Sequence, residues 1–112
     1  MNNKPFVSNK ISRLLKEKGF DLPCMACYDK LDMLSTYSES IFVTKNYNTS
    51  GYVCSAPLYQ QVIDWFRSVH KIKIIESQYF SDTRDIWFVK HYQDIVEYDS
   101  LDLAIEGALK LI

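Results

Sequence analysis

Ser55-Ala56-Pro57-Leu58-Tyr59-Gln60-Gln61-Val62-Ile63-Asp64-Trp65-Phe66-Arg67-Ser68-Val69-His70, followed by Lys71-Ile72-Lys73-Ile74-Ile75, is the stretch in which the chain changes period. Leu58, Val62, Trp65, Phe66 and Val69 recur at helical spacing on one face, whereas Ile72 and Ile74 recur at spacing two and read as a strand. A helix is expected to begin near Ser55 and to run to about His70. Pro57 is tolerated in its first turn, where backbone amides have no intrahelical partner. Beyond the strand, Ser81-Asp82-Thr83-Arg84-Asp85 reads as a hairpin loop and Ile86-Trp87-Phe88-Val89 as the antiparallel return. A segment that spends its large side chains on one stripe builds a core, and no catalytic constellation interrupts it.

Toward the N-terminus, Ser8 reads as the N-cap of a first helix whose apolar stripe is Ile11, Leu14 and Leu15. Gly19 stops it at C′, and Phe20 at C″ packs back on Leu15 in a Schellman ending. After Pro23, Cys24-Met25-Ala26-Cys27-Tyr28 is an unbroken apolar run that reads as a short buried strand. Residues 29–39 contain Met33, Leu34 and Tyr37 and fit either a second short strand or a loop. Ile41-Phe42-Val43-Thr44 has the β-branched and aromatic content of a strand, and Lys45 to Ser55 is rich in turn residues and reads as an exposed stretch.

Toward the C-terminus, an extended piece at Ile95 to Tyr98 leads into a last helix capped by Asp99 or Ser100. With Asp99 as the cap, Tyr98 and Leu103 would form a hydrophobic staple. Leu101, Ala104, Ile105, Ala108 and Ile112 share one face of that helix. The expected fold is therefore α+β. It has three helices on a mainly antiparallel sheet of four or so strands, in the order α-β-β-α-β-β-α. Residues 1–112 suffice for a single domain with one core, residues 1–6 being loosely ordered.

Net charge is −1, so no global field draws the chain to nucleic acid or to an anionic membrane. The charge is uneven, however. Residues 1–18 hold Lys4, Lys10, Arg13, Lys16 and Lys18 against Glu17 alone, and residues 94–107 hold Asp94, Glu97, Asp99, Asp102 and Glu106 with no basic residue. These read as two solvated faces of opposite sign. The start of the chain lacks the apolar stretch of a signal peptide, and no run approaches the roughly 18 apolar residues of a membrane span. A cytoplasmic protein without a membrane partner is expected. Its three cysteines are then reduced thiols, and the Asn48-Thr49-Ser50 sequon is idle.

Cys24 and Cys27 form a C-x-x-C, a spacing that can hold zinc or exchange thiols when a turn brings the sulfurs together. On a strand, residues three apart face opposite sides and cannot share an ion, so core cysteines are the expectation and no cofactor is assigned. His70 is placed to cap the negative end of the second helix. Lys71, Lys73, Trp87, Lys90, His91 and Tyr92 interleave rings with cations, the mixture that stacks bases and neutralises phosphates. With eight Tyr and six Phe, the chain also has enough aromatic surface for an exposed patch that binds itself or a protein partner.

Ser55 to Arg67, taken with Lys16-Glu17-Lys18-Gly19-Phe20, the Pro23-Cys24 step and Tyr98-Asp99-Ser100, resembles a group of short uncharacterised proteins carried by phages, prophages and mobile elements of gut anaerobes. The likeness spans most of the chain, although Cys27 lies outside the pattern that carries it. It implies a genomic setting and one domain, and it brings no catalytic residues with it. The leading expectation is a non-enzymatic accessory or interaction module that pairs with itself or a protein partner. The alternatives are a nucleic-acid-binding module using the 72–92 hairpin, and a small metal or thiol site at Cys24 and Cys27.

Overall fold

The structure, a computed structural model, describes residues 5–36, 45–49, 53–77 and 86–112. Its elements run α1 (Asn9–Glu17), β1 (Ala26–Tyr28), β2 (Leu34–Thr36), a 3-10 turn (Tyr47–Thr49), β3 (Cys54–Ser55), α2 (Tyr59–Trp65), a π-helical turn (Phe66–His70), β4 (Ile72–Glu76), β5 (Trp87–His91), β6 (Asp94–Tyr98) and α3 (Leu101–Leu109). Among the described residues the fold is α+β with three helices, as the periodicities predict, but instead of one sheet of four or so strands they form two three-stranded antiparallel sheets, β2-β1-β3 and β4-β5-β6. The chain divides into two compact units, Met1–Tyr59 and Gln60–Ile112, each with one of these sheets.

In the first unit α1 begins where its cap dictates, with the Ser8 hydroxyl accepting the Ile11 amide at 3.2 Å. It ends in a full Schellman motif. Gly19 takes φ +87°, its N–H reaches the Lys16 carbonyl at 3.2 Å, and the Phe20 N–H reaches Leu15 at 3.0 Å. The ambiguous stretch after Tyr28 is a hairpin. Asp29 accepts the amides of Leu31 and Met33, Asp32 takes the left-handed turn position at φ +61°, and Leu34 pairs back with Tyr28.

The stretch expected to be exposed buries Tyr47, Cys54 and Ser55, and Ser55 does not open a helix. It belongs to β3, opposite Cys27, and its hydroxyl accepts the buried Tyr47 amide at 2.9 Å. The Pro57 carbonyl accepts the Val7 amide, and helical structure begins only at Tyr59. The strand expected over Cys24–Tyr28 is shorter too. Cys24 makes an isolated bridge with Lys45, a bend at Met25 intervenes, and β1 starts at Ala26. Asn48 of the sequon is structural, its amide donating to the Phe20 carbonyl and accepting the Ser55 N–H. The strand expected at Ile41–Thr44 and the loop expected at Ser81–Asp85 lie outside the described residues.

In the second unit helical structure ends as expected at His70, but α2 itself stops at Trp65 and the five residues after it form the π-turn. An i→i+5 turn advances each residue by less than the α-helical 100° or so, which takes Val69 off the stripe and leaves it 56% exposed. His70 takes its place instead, edge-on to Trp65 five residues back with ring centroids 4.6 Å apart. Capping also departs from expectation. Lys71, at φ +59°, returns its N–H to the Phe66 carbonyl and its ammonium to the Ser68 carbonyl, so the lysine and not His70 closes the helix.

Strands β4, β5 and β6 pair in register without a bulge, and α3 packs against all three. Ile72, Ile74 and Val89 share the helix-covered side with Ala104, Ile105 and Ala108 of α3. Ser100 caps α3, accepting the Leu103 amide at 3.1 Å, so Asp99 is not the cap and the staple does not form. Tyr98 lies instead over Gly107, where an added Cβ would run into its ring and hydroxyl.

Candidate functional site

Antiparallel pairing places directly opposed residues on one side of a sheet, so the register of the second sheet defines its two faces. Ile72, Ile74 and Glu76 lie with Trp87, Val89 and His91 and with Asp94, Val96 and Tyr98 on the side toward α3, where Ile72, Ile74 and Val89 are buried but Glu76, Asp94 and Val96 stay exposed, Val96 by 50%. The opposite side carries Lys73 and Ile75 from β4, Phe88 and Lys90 from β5, and Ile95 and Glu97 from β6. None of those six is buried. Ile75 is 47% exposed and Ile95 60%, and Phe88 is half-buried. Ile75, Phe88, Lys90 and Ile95 line a shallow depression of about 200 Å³. Lys73 and Lys90 face each other across β4 and β5, and among the described residues neither side chain makes a hydrogen bond or an ion pair.

This face divides the interleaved set of rings and cations. Lys73 and Lys90 meet on the open side. Trp87 and His91 share a side, as period two implies, but it is the side toward α3. Lys71 closes the π-turn. Tyr92 sits in the two-residue loop between β5 and β6, 80% exposed, with its ring 4.5 Å from that of His91. Ile75, Phe88, Ile95 and Glu97 complete the face and were not among the residues singled out. Their signal was the continuation of the alternation Lys73-x-Ile75 into Phe88-x-Lys90 and Ile95-x-Glu97, which becomes readable only when Asp94–Tyr98 is recognised as a full strand.

The thiols lie in the first unit, all three free and buried. Burial pushes Cys24 from an ordinary 9.0 up to about 11, against a smaller lowering by its hydrogen bond with Ser55. Cys27 and Cys54 are raised first by burial as well. They flank a strand pair in which Cys27 opposes Ser55 and Cys54 opposes Tyr28, so the two side chains leave opposite faces of that sheet. Among the described residues, no three His, Cys, Asp or Glu side chains converge so that they could hold a metal ion. A second hollow of about 320 Å³, lined by Pro5, Phe6, Tyr28, Asp32, Met33 and Leu34, also lies in this unit. The Tyr28 hydroxyl is committed to the Val7 carbonyl at 2.7 Å, and Asp32 pairs with Arg13 at 3.1 Å.

No family model, curated protein or solved structure matches the chain. No helix among the described residues is long and apolar enough to cross a membrane.

Proposed function

We propose that the chain is a non-enzymatic accessory module, of the phage or mobile-element kind its sequence resembles, that binds a protein partner in the cytoplasm through the open face of the β4–β5–β6 sheet. One observation carries the reading. On the side away from α3, Ile75 and Ile95 are exposed beside the half-buried Phe88, around a depression that Lys90 also lines. Contiguous apolar surface of this kind costs free energy in water, about 25 cal/mol for each Å² that a partner would bury. The polar side chains of the first unit support the same reading, because Ser55, Asn48, Asp29 and Arg13 are occupied in holding backbone.

Nucleic acid is the weaker occupant. Single-strand binding rests on several stacked rings, and Trp87 and His91 belong to the opposite side, leaving Phe88 as the ring of this face. The test compares two exposed apolar sites, Ile95 on the face and Val69 on the π-turn. Affinity capture with the tagged full chain should recover a protein that is lost with Ile95→Asp and kept with Val69→Asp. A partner insensitive to Ile95→Asp, or a chain that stays monomeric and recovers nothing, would overturn the proposal.

A further inference from the structure

We infer that the partner segment is acidic as well as apolar: one or two large aliphatic or aromatic side chains seated between Ile75, Phe88 and Ile95, with flanking carboxylates on Lys73 and Lys90. The inference rests on the open face being the docking surface and concerns the chemistry of what docks.

Two like charges directly opposite on neighbouring strands destabilise a sheet. Lys73 and Lys90 occupy that arrangement, and Ile95, next along the row, brings no carboxylate. Glu97 lies on the other row, opposite Phe88, and forms no ion pair with either lysine. The face is therefore an apolar floor with a cationic pair left uncompensated among the described residues, and an anionic group of the partner supplies what the sheet does not.

Size decides between a small molecule and a side chain. Pockets that enclose small ligands span roughly 300–1,000 Å³, whereas this depression holds about 200 Å³ and is open, room for a side chain or two. Charge decides against a second copy, since two such faces would each bring two lysines against one glutamate. It also weighs against a polynucleotide, because Glu97 on the same face would repel the phosphates that the lysines attract.

The experiment titrates the isotope-labelled full chain, followed by backbone NMR, with three probes. These are the blocked peptide Glu-Glu-Leu-Phe-Glu-Glu, its isostere with glutamine at each glutamate, and single-stranded oligothymidine. The acidic peptide should shift β4–β6 resonances, and its binding should weaken by about tenfold or more in Lys73→Glu, in Lys90→Glu and for the glutamine peptide, as truncated charge pairs do. Equal binding of the two peptides to the face would overturn the charge assignment while the docking surface stands. Shifts elsewhere in the chain would remove both. Shifts of the face by oligothymidine alone, concentration-dependent self-association through it, or no response to any probe would each overturn the inference. Circular dichroism of each variant confirms that exposed lysine changes leave the fold intact.

Discussion

The two sheets are built alike, three antiparallel strands beside a helix, and they differ in how many of their sides are covered. In the first, consecutive residues are buried, Ala26 with Cys27 and Cys54 with Ser55, so both sides of β1 and β3 are shut away from water. In the second, burial alternates over residues 72–75 of β4, the side away from α3 holds no buried residue, and β6 is exposed on both sides as far as Glu97. A strand enclosed on both sides has to satisfy its polar groups locally, which is why Ser55 and Asn48 spend themselves on neighbouring backbone. A strand enclosed on one side leaves every second side chain available. The first sheet is scaffold, and the second presents a surface.

The sharpest way to break that contrast is a pair of neighbours on β4. Ile74→Ala should cost about 2–4 kcal/mol, because it empties a side chain that is 6% exposed, whereas Ile75→Ala next to it should cost under about 1 kcal/mol. Denaturant unfolding of the two variants measures both, and equal losses would mean that the open side is covered after all. In the first sheet, Ser55→Ala leaves the buried Tyr47 amide without its acceptor and should cost about 1–3 kcal/mol. A neutral result in the same assay would show that the enclosed sheet does not depend on its side-chain hydrogen bonds.

Gly107→Ala separates helix propensity from packing under the covered side. Propensity alone would stabilise α3 by about 1 kcal/mol, but the new Cβ meets the Tyr98 ring, so a net loss of about 1 kcal/mol is expected. A rise in melting temperature would contradict the seat of Tyr98 on α3. The smallest effect is pH-dependent. Cys24 holds its proton more tightly folded than unfolded, so the stability linked to it is fully present below pH 9 and falls as pH rises from 9 toward about 11. The unfolding midpoint of the native chain, measured against Cys24→Ala from pH 8 to 11, should show that extra decline. Parallel curves would place Cys24 in water.

Legibility in the sequence followed the strength of local signals. Ser8, Gly19 and Phe20 announced both ends of α1, because caps are fixed by a few atoms within one turn. Strand β3 escaped because it is two residues long and its Ser55, a good capping residue, stands just before Pro57. Which of two backbone amides a serine hydroxyl will meet is decided by the fold. The π-turn escaped because its sequence continues the helical stripe, and only the unwound geometry shows that His70, not Val69, turns toward Trp65. Of the open face, Lys73 and Lys90 were legible as cations near rings. Ile75, Phe88, Ile95 and Glu97 were not, since the side a strand residue faces depends on pairing partners far along the chain.

The loop Tyr92-Gln93 that joins β5 to β6 is as short as a hairpin connection ordinarily gets. Tyr92 alone of the pair adopts a positive φ, +57°, the pattern of a type II′ turn whose first position suits glycine. Its length, more than its residues, determines which side of β6 looks outward. One codon inserted there would roll the strand over, exchanging the sides of Asp94 and Val96 with those of Ile95 and Glu97, and would lift Tyr98 off Gly107. In evolutionary terms the make-up of this face hangs on a reading length of two, and a single-codon insertion would rewrite it more completely than any substitution on the face itself.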